Sequence, residues 1–266
     1  MKITEKFLTP NKFSRPQISL EKVLKIAVHY VGDSGSSAIA NHNYFENLKD
    51  QIPDSTGKYC LNKDGSYLTY KGSKVTVKYV SSHFLIGLQG EIIQNIPLDE
   101  ISYCTNQANT YSISIECCHP DETGKFNIET ENSLAELCAY LLEKFGLTAD
   151  DIIRHYDVTG KQCPLYWSPT KYQSKEIADK RFNDFKNKVR KLMKTPDITE
   201  LFKVRVIDPA LNIRKNPGTN SEIAGVITDR GIYTIVGTAK VGSVQWGKLI
   251  SGIGWISLGE KYVIKL

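Results

Sequence analysis

Residues 154–164, Arg-His-Tyr-Asp-Val-Thr-Gly-Lys-Gln-Cys-Pro, place a histidine, a lysine and a cysteine in one short stretch. Seven residues separate His155 from Cys163, and Thr159-Gly160 between them favours a loop that can fold both side chains onto one ion. Zinc binds neutral imidazole and thiolate at about 2.0–2.3 Å, and a catalytic zinc site has three protein ligands and one open position. The stretch therefore predicts two zinc ligands and requires a third from elsewhere.

The third ligand is predicted at the end of the first buried strand. Residues 24–31, Leu-Lys-Ile-Ala-Val-His-Tyr-Val, are rich in β-forming residues, so a strand is expected to end near His29. Strand ends supply well-fixed side chains at the rim of a sheet, which favours His29 as the ligand. His83, at the start of another predicted strand, is the main alternative. Two imidazoles and one thiolate would leave a zinc site with a net charge of about +1, which favours a polarised water.

Two further residues could take part in hydrolysis, which needs a base and a donor to the developing oxyanion. Glu116 ends the alternating strand of residues 111–116, where its carboxylate could reach a water on the metal or could be solvated. Lys161 lies two residues before Cys163, so its ammonium could stabilise the oxyanion or belong to the surface.

Strand and helix patterns divide the chain into a mixed α/β domain and a smaller β module. Helices are predicted at residues 38–48, 133–145 and 174–193, and further strands at residues 75–79, 83–88, 91–94 and 111–116. Gln89-Gly90 is predicted to turn a hairpin between two of these strands. Six short strands follow, at residues 202–207, 211–214, 224–227, 233–236, 245–250 and 254–257. This spacing is typical of a small all-β barrel. We expect a domain at residues 1–194, a linker at 195–200 and a second domain at 201–266.

Composition narrows the class of protein. Hydrophobic residues make up 41% and charged residues 24%, as in ordinary soluble globular proteins. No stretch approaches the roughly 18 apolar residues that a membrane span needs, and residues 1–16 have no apolar signal core. The chain is therefore expected to stay in the cytoplasm or to leave it by a route that reads no signal peptide. Most of the six cysteines are expected to be free buried thiols, with adjacent Cys117 and Cys118 on opposite faces of a strand.

The excess positive charge belongs to the β module. Residues 201–266 contain nine Lys/Arg and four Asp/Glu, which accounts for the net charge of +5 of the whole chain. Such a module suggests a polyanionic surface as its partner, although solubility alone could explain the charge. Nucleic acid is not expected as a partner, because no basic stripe with interleaved aromatic residues is evident.

The first domain resembles the zinc-dependent N-acetylmuramoyl-L-alanine amidases of the type-2 amidase and peptidoglycan-recognition-protein superfamily. The resemblance is carried by residues 26–30, 81–86 with the Gln89-Gly90 hairpin, 112–116 and 155–164, in the family's order. It implies a mixed central sheet flanked by helices and zinc bound by His29, His155 and Cys163, with Glu116 as base and Lys161 as oxyanion donor. Some members carry a catalytic tyrosine where this chain has Ser82; this chain fits the branch that uses the glutamate. Non-catalytic recognition proteins typically lack the cysteine ligand, so Cys163 argues for an enzyme.

The second domain resembles a bacterial SH3-type wall-binding domain. The resemblance is carried by residues 211–214, 216–218, 246–249 and 254–256. Four aromatic residues could be core or ligand platforms, and core is expected for at least two: Tyr233, Trp246, Trp255 and Tyr262.

Together the resemblances imply a peptidoglycan hydrolase that cleaves the amide between N-acetylmuramic acid and L-alanine by zinc-assisted hydrolysis, held on the wall by its SH3-type domain. They suggest an endolysin that is made in the host cytoplasm and released through a holin-type pore, without inserting into the membrane itself. The alternatives are a zinc peptidase acting on the stem peptide or cross-bridge, and a peptidoglycan-binding protein without catalysis.

Overall fold

The computed structural model of the protein describes residues 1–193 and 202–266. These residues fall into two units, divided between Met193 and Lys194. The predicted linker, residues 195–200, lies outside the described residues.

The first unit contains a six-stranded mixed sheet. Its strands, with a separate pair β3 and β4, are β1 Ile3–Glu5, β2 Lys25–Tyr30, β3 Thr69–Tyr70, β4 Ser73–Lys74, β5 Phe84–Ile86, β6 Ile92–Gln94, β7 Ser112–Cys117 and β8 Ile152–Arg154. The spatial order is β1-β6-β5-β7-β2-β8. Strands β5, β7, β2 and β8 run parallel, whereas β6 returns antiparallel to β5. The predicted hairpin is confirmed, since Gly87 N–H donates to Glu91 O at 2.9 Å.

Helices cover both faces of this sheet. They are α1 Ala38–Asn47, α2 Ile128–Phe145, α3 His155–Thr159 and α4 Lys175–Leu192. One face, with Ile26, Val28 and Ile115, packs against α2 and α4. The other face, with Leu85 and Ile93, packs against α1. The predicted mixed sheet flanked by helices is confirmed.

Helix α2 supplies much of the main core. Four leucines of this helix are fully buried: Leu134, Leu137, Leu141 and Leu142. Burial of each contributes roughly 1.5–3 kcal/mol relative to exposure. The helix begins at Ile128, before the predicted start at residue 133, because Asn127 caps it by accepting from Thr130 N–H. Ile128, in the first turn of the helix, is exposed. The buried apolar residues at helical spacing therefore begin later in the sequence than the helix itself, and the prediction placed the start too late. Gly146, at φ +67°, ends it as predicted.

Three other expectations about the first unit need correction. The predicted strand at residues 75–79 is wrong, because its backbone bonds go to separate segments, including Leu68 and Lys58, rather than to one partner strand. Strands β1 and β8 were not predicted, since three residues carry too little alternation. In α4, Ile177 and Leu192 are exposed, although both were assigned to its apolar side.

The second unit is an antiparallel β module of seven strands. They are β9 Phe202–Val206, β10 Leu211–Arg214, β11 Ile223–Ile227, β12 Ile232–Val241, β13 Val244–Leu249, β14 Trp255–Ser257 and β15 Val263–Lys265. The order is β11-β10-β14-β13-β12-β9-β15. The predicted all-β architecture is confirmed, and β15 is an additional strand. Trp246 is buried, and Tyr233 and Tyr262 pack against the module's core, as expected for at least two of the four aromatic residues.

The cysteines follow the sequence-based prediction. All six are free, and five are buried. Cys117 packs in the α2–α4 core and Cys118 in the α1 cluster, so the two thiols lie on opposite faces. None of the helices in the described parts of the chain is long and apolar enough to span a bilayer.

Candidate metal centre and active site

The site lies where parallel strands reach the same edge of the sheet. His29 near the end of β2 is in register with Glu116 near the end of β7. Because side chains alternate along a strand, both point away from the α2–α4 core. Strand β8 leads directly into α3, which begins with His155. Residues far apart in the sequence therefore meet at this edge.

The 154–164 stretch folds Cys163 back beside His155. Helix α3 ends at Gly160, whose φ of +78° favours glycine. The chain then returns, and Tyr156 N–H donates to Cys163 O at 3.0 Å. Buried Arg154 anchors the stretch, with ion pairs to Asp157 at 2.6 Å and to Asp179 at 2.9 Å.

Three side chains converge with the geometry of a metal centre. One ligand atom each from His29, His155 and Cys163 lies within 4.8 Å of the others. His29 Nδ1 and Cys163 Sγ are 3.6 Å apart, and two ligands on a tetrahedral zinc ion would be about 3.5 Å apart. His155 Nδ1 is buried without a hydrogen-bond partner in the described part of the chain. The donor set therefore fits zinc.

The electrostatics also suit a cation. Burial, with the nearby charges of His155 and Lys161, holds the pKa of His29 well below its usual value. Burial and Lys161 lower the pKa of His155 to about 4, so both imidazoles are neutral at pH 7, as metal ligands must be. Burial and the charge of Glu116 raise the pKa of the Cys163 thiol to about 12. A divalent cation would supply the charge that converts this thiol to thiolate.

Glu116 presents one free carboxylate oxygen to this centre. Its Oε1 accepts from Cys104 Sγ at 3.5 Å, and its Oε2 is buried with no partner among the residues described. Burial raises the pKa of Glu116 to about 8, and the Cys104 hydrogen bond and Lys161 oppose this rise. A carboxylate with a pKa near 8 can exchange a proton near neutral pH.

Lys161 is exposed beside the cluster. Its charge lowers the pKa values of both His29 and His155 and opposes the rise at Cys163. These shared effects place the positive charge of Lys161 near the side chains of His29, His155 and Cys163.

His83, the alternative third ligand, is fully engaged elsewhere. Its Nδ1 accepts from Ser114 N–H at 3.0 Å, and its Nε2 donates to Glu100 O at 2.8 Å. Neither nitrogen is free for a metal, and the groups of possible metal ligands in the described parts of the chain do not include this residue. Ser82 is also buried, and its hydroxyl donates to Phe84 O at 2.8 Å.

Three residues that touch the site had not been singled out by any motif. They are Cys104, which contacts Glu116, Thr105, which contacts His29, and Asn106, which contacts His155. The available signal was a polar, turn-forming segment directly before β7, and such a segment is too common to predict contacts with particular residues.

A family model described as N-acetylmuramoyl-L-alanine amidase matches residues 19–165. The chain belongs to the N-acetylmuramoyl-L-alanine amidase family. This amidase is a peptidoglycan hydrolase, and the predicted enzyme class is confirmed. The match includes every residue of the candidate site.

Curated relatives extend the similarity along the chain. The N-acetylmuramoyl-L-alanine amidase BlyA of Bacillus subtilis (strain 168) is 25% identical over 303 residues, which cover 98% of this chain and 72% of BlyA. The amidase CwlL of Bacillus licheniformis is 30% identical over 179 residues, which cover 63% of this chain. The matched part is 43% of CwlL, so the match spans less than half the length of that relative.

Among solved structures, the solution structure of the PlyG catalytic domain has a TM-score of 0.51. It is 20% identical and covers 73% of this chain and 96% of its own. At this identity the likeness shows a shared fold.

Proposed function

We propose that the amidase cleaves the bond between the lactyl group of N-acetylmuramic acid and L-alanine, at a zinc ion held by His29, His155 and Cys163. One observation carries the proposal: three neutral or ionisable ligand atoms converge beside a carboxylate with a free oxygen. Zinc, when bound, supplies Lewis acidity, which polarises a carbonyl and makes water a better nucleophile at neutral pH.

Glu116 is the proposed acid–base group. Its free Oε2 takes a proton from the attacking water as the water oxygen bonds to the carbonyl carbon. Glu116 then gives that proton to the nitrogen of L-alanine as the carbon–nitrogen bond breaks. The Lys161 ammonium donates to the oxyanion that forms between these steps.

The β module is proposed to retain the enzyme on the wall as an SH3-type domain. Within the proposed division at residues 1–194, 195–200 and 201–266, the module carries nine Lys/Arg against four Asp/Glu. An anionic wall polymer complements this charge. Wall pelleting of the full-length protein tests this, since electrostatic binding weakens with added salt. Wall binding that does not change with salt would contradict the proposal that the positive charge of the module holds it on the wall. Synthesis in the host cytoplasm and release through a holin-type pore stay predictions from the resemblance.

Product analysis tests the reaction. Mass spectrometry of digested walls should find new L-alanine amino termini, whereas intact muramyl-alanine bonds with cuts inside the peptide would favour the zinc peptidase. Walls that stay uncleared with zinc present would favour a binding protein without catalysis.

A further inference from the structure

Residues 104–106, Cys-Thr-Asn, touch three different members of the proposed site with three consecutive side chains. Thr105 Oγ1 lies 2.9 Å from His29 Nε2, and Asn106 Oδ1 lies 3.2 Å from His155 Nε2. We propose that this positioning segment sets the ring orientation and tautomer of both histidine ligands and aims the base. The inference deepens the proposed function and rests on its zinc site.

The tautomer of His155 follows from its contact with Asn106. The amide oxygen of Asn106 can only accept, so His155 Nε2 must carry the proton. Nδ1 then has a free lone pair, and this is the atom that is buried without a partner in the described part of the chain. At His29, Nδ1 faces Cys163 Sγ, so Nε2 is the nitrogen that donates to Thr105. Both rings are thus held with Nδ1 directed to the ligand cluster.

Cys104 completes the segment at the carboxylate. Its thiol donates to Glu116 Oε1 at 3.5 Å, which occupies one oxygen and leaves Oε2 available for the proton. The same contact fixes the plane of a buried carboxylate that has no ion-pair partner within the described ranges. Cys104 therefore acts through Glu116 and is a positioning residue.

The segment is itself firmly held. Asn109 Oδ1 accepts from the backbone N–H groups of Cys104 and Thr105, at 3.0 and 2.7 Å. Gln107 Nε2 donates to Val158 O at 3.1 Å, which ties the segment to α3, the helix that bears His155. Ser112 Oγ donates to Ala108 O at 2.7 Å, which ties it to β7, the strand that bears Glu116.

The backbone explains why asparagine suits position 106. Asn106 has a φ of +53°, in the left-handed region that asparagine and glycine adopt more readily than most residues. Its side chain is at the same time a hydrogen-bond acceptor. Glycine would keep the backbone and lose the acceptor, whereas aspartate would keep both, so the two substitutions separate shape from function.

Zinc affinity of the full-length protein, measured by competition with a chromophoric chelator, tests the histidine contacts. Thr105→Val and Asn106→Gly should each weaken zinc binding about 10–100-fold, the usual effect of removing a partner of a metal ligand. Thr105→Ser and Asn106→Asp should restore it. Thr110→Val removes a hydroxyl from an exposed position four residues after Asn106, outside the positioning segment, and should leave affinity unchanged. The absorption spectrum of the cobalt-loaded protein should change in the two weakened variants, because ring orientation changes.

The Cys104 contact is tested by steady-state kinetics at full zinc occupancy. Cys104→Ala should lower kcat about five- to tenfold with little change in KM, since one hydrogen bond to the base is lost. Cys104→Ser should recover most of the rate. An unchanged kcat in Cys104→Ala would remove this residue from the proposal.

The outcomes separate this inference from the function on which it rests. If Cys163→Ser binds zinc as tightly as the parent, the metal centre itself is wrong. If Cys163→Ser loses zinc but Thr105→Val and Asn106→Gly bind it as tightly as the parent, the centre stands and the positioning segment is overturned. Thermal unfolding of the metal-free variants shows whether each of them folds. If Thr105→Val or Asn106→Gly does not fold, the zinc affinities of Thr105→Ser and Asn106→Asp still test the proposal, because these variants keep the hydrogen-bonding groups.

Discussion

Two clusters of buried polar side chains lie on the same face of the sheet and differ in how completely they are paired. Around His83, both ring nitrogens have partners, and Ser114 Oγ also contacts Ser102 Oγ at 2.7 Å. At the sheet edge, His155 Nδ1 and Glu116 Oε2 are buried without partners in the described part of the chain. A buried polar atom without a partner costs about 1–3 kcal/mol, so the second cluster is the one that a ligand would stabilise. The comparison separates a structural histidine from candidate ligands more clearly than sequence pattern does.

The largest effect is expected at the unpaired cluster. Cys163→Ser should lower the rate of wall hydrolysis about 10³-fold or more, because the loss of one of three ligands removes the zinc ion and its Lewis acidity. Hydrolysis rate and zinc content should be measured together. Cys60→Ser is the matched control, since Cys60 is buried away from the site and donates to Gln51 Oε1 at 3.5 Å, which serine can also do. Equal rates for both variants would contradict the assignment.

Removing the base should give the next largest effect. Glu116→Gln should reduce kcat about 10²–10⁴-fold, because the amide cannot accept the proton of the attacking water. Zinc content should stay at the parental level, which distinguishes this variant from a ligand variant. A glutamine variant with the parental kcat would show that another group takes the proton.

In the cluster around His83, where both ring nitrogens have partners, a substitution should lower stability and leave the hydrolysis rate unchanged. His83→Leu should lower the free energy of unfolding by about 2–4 kcal/mol, because Ser114 N–H and Glu100 O lose their partners in a buried place. Urea denaturation measures the change. Zinc content and the rate per folded molecule should stay close to parental values; a loss of zinc with unchanged stability would reverse the two clusters' roles.

A pH dependence of stability is also expected at the same histidine. Burial lowers the pKa of His83 to about 4, below the ordinary 6.5. Between these pH values the unfolded chain binds more protons than the folded chain, so stability is fully present above about pH 6.5 and falls as pH drops toward 4. The full loss is about 3 kcal/mol. The contribution of His83 is measured as the difference in unfolding free energy between the parent and His83→Gln, followed from pH 7 to 4. A difference that does not change with pH would contradict the prediction.

The sequence predicted the parts of the fold that carry strong local patterns. Strand β2, the hairpin of β5 and β6, and strand β7 have apolar runs or turn residues that specify them, and the core of α2 shows clear helical spacing. Strands β1 and β8 have three residues each, and they form because partners from distant parts of the chain complete them. The predicted strand at residues 75–79 failed because β propensity does not provide a partner strand.

The candidate site also contains residues that a local sequence pattern points to and residues that only distant contacts bring in. His155, Lys161 and Cys163 share one motif, and His29 and Glu116 lie near strand ends, so residue type and position made these five residues candidates. The family resemblance implied their roles, which stay predictions. Thr105 and Asn106 contact histidines 76 and 49 residues away in sequence. Their contacts depend on how the loop before β7 closes over the sheet edge, which no local pattern specifies.

The most direct test compares zinc-loaded and chelator-treated full-length protein on purified walls, counting new L-alanine amino termini. We expect one zinc ion per chain, L-alanine termini that stop forming after chelation, and recovery when zinc is returned. L-alanine termini formed at the same rate by metal-free protein would contradict the claim that the unpaired cluster is a catalytic zinc centre.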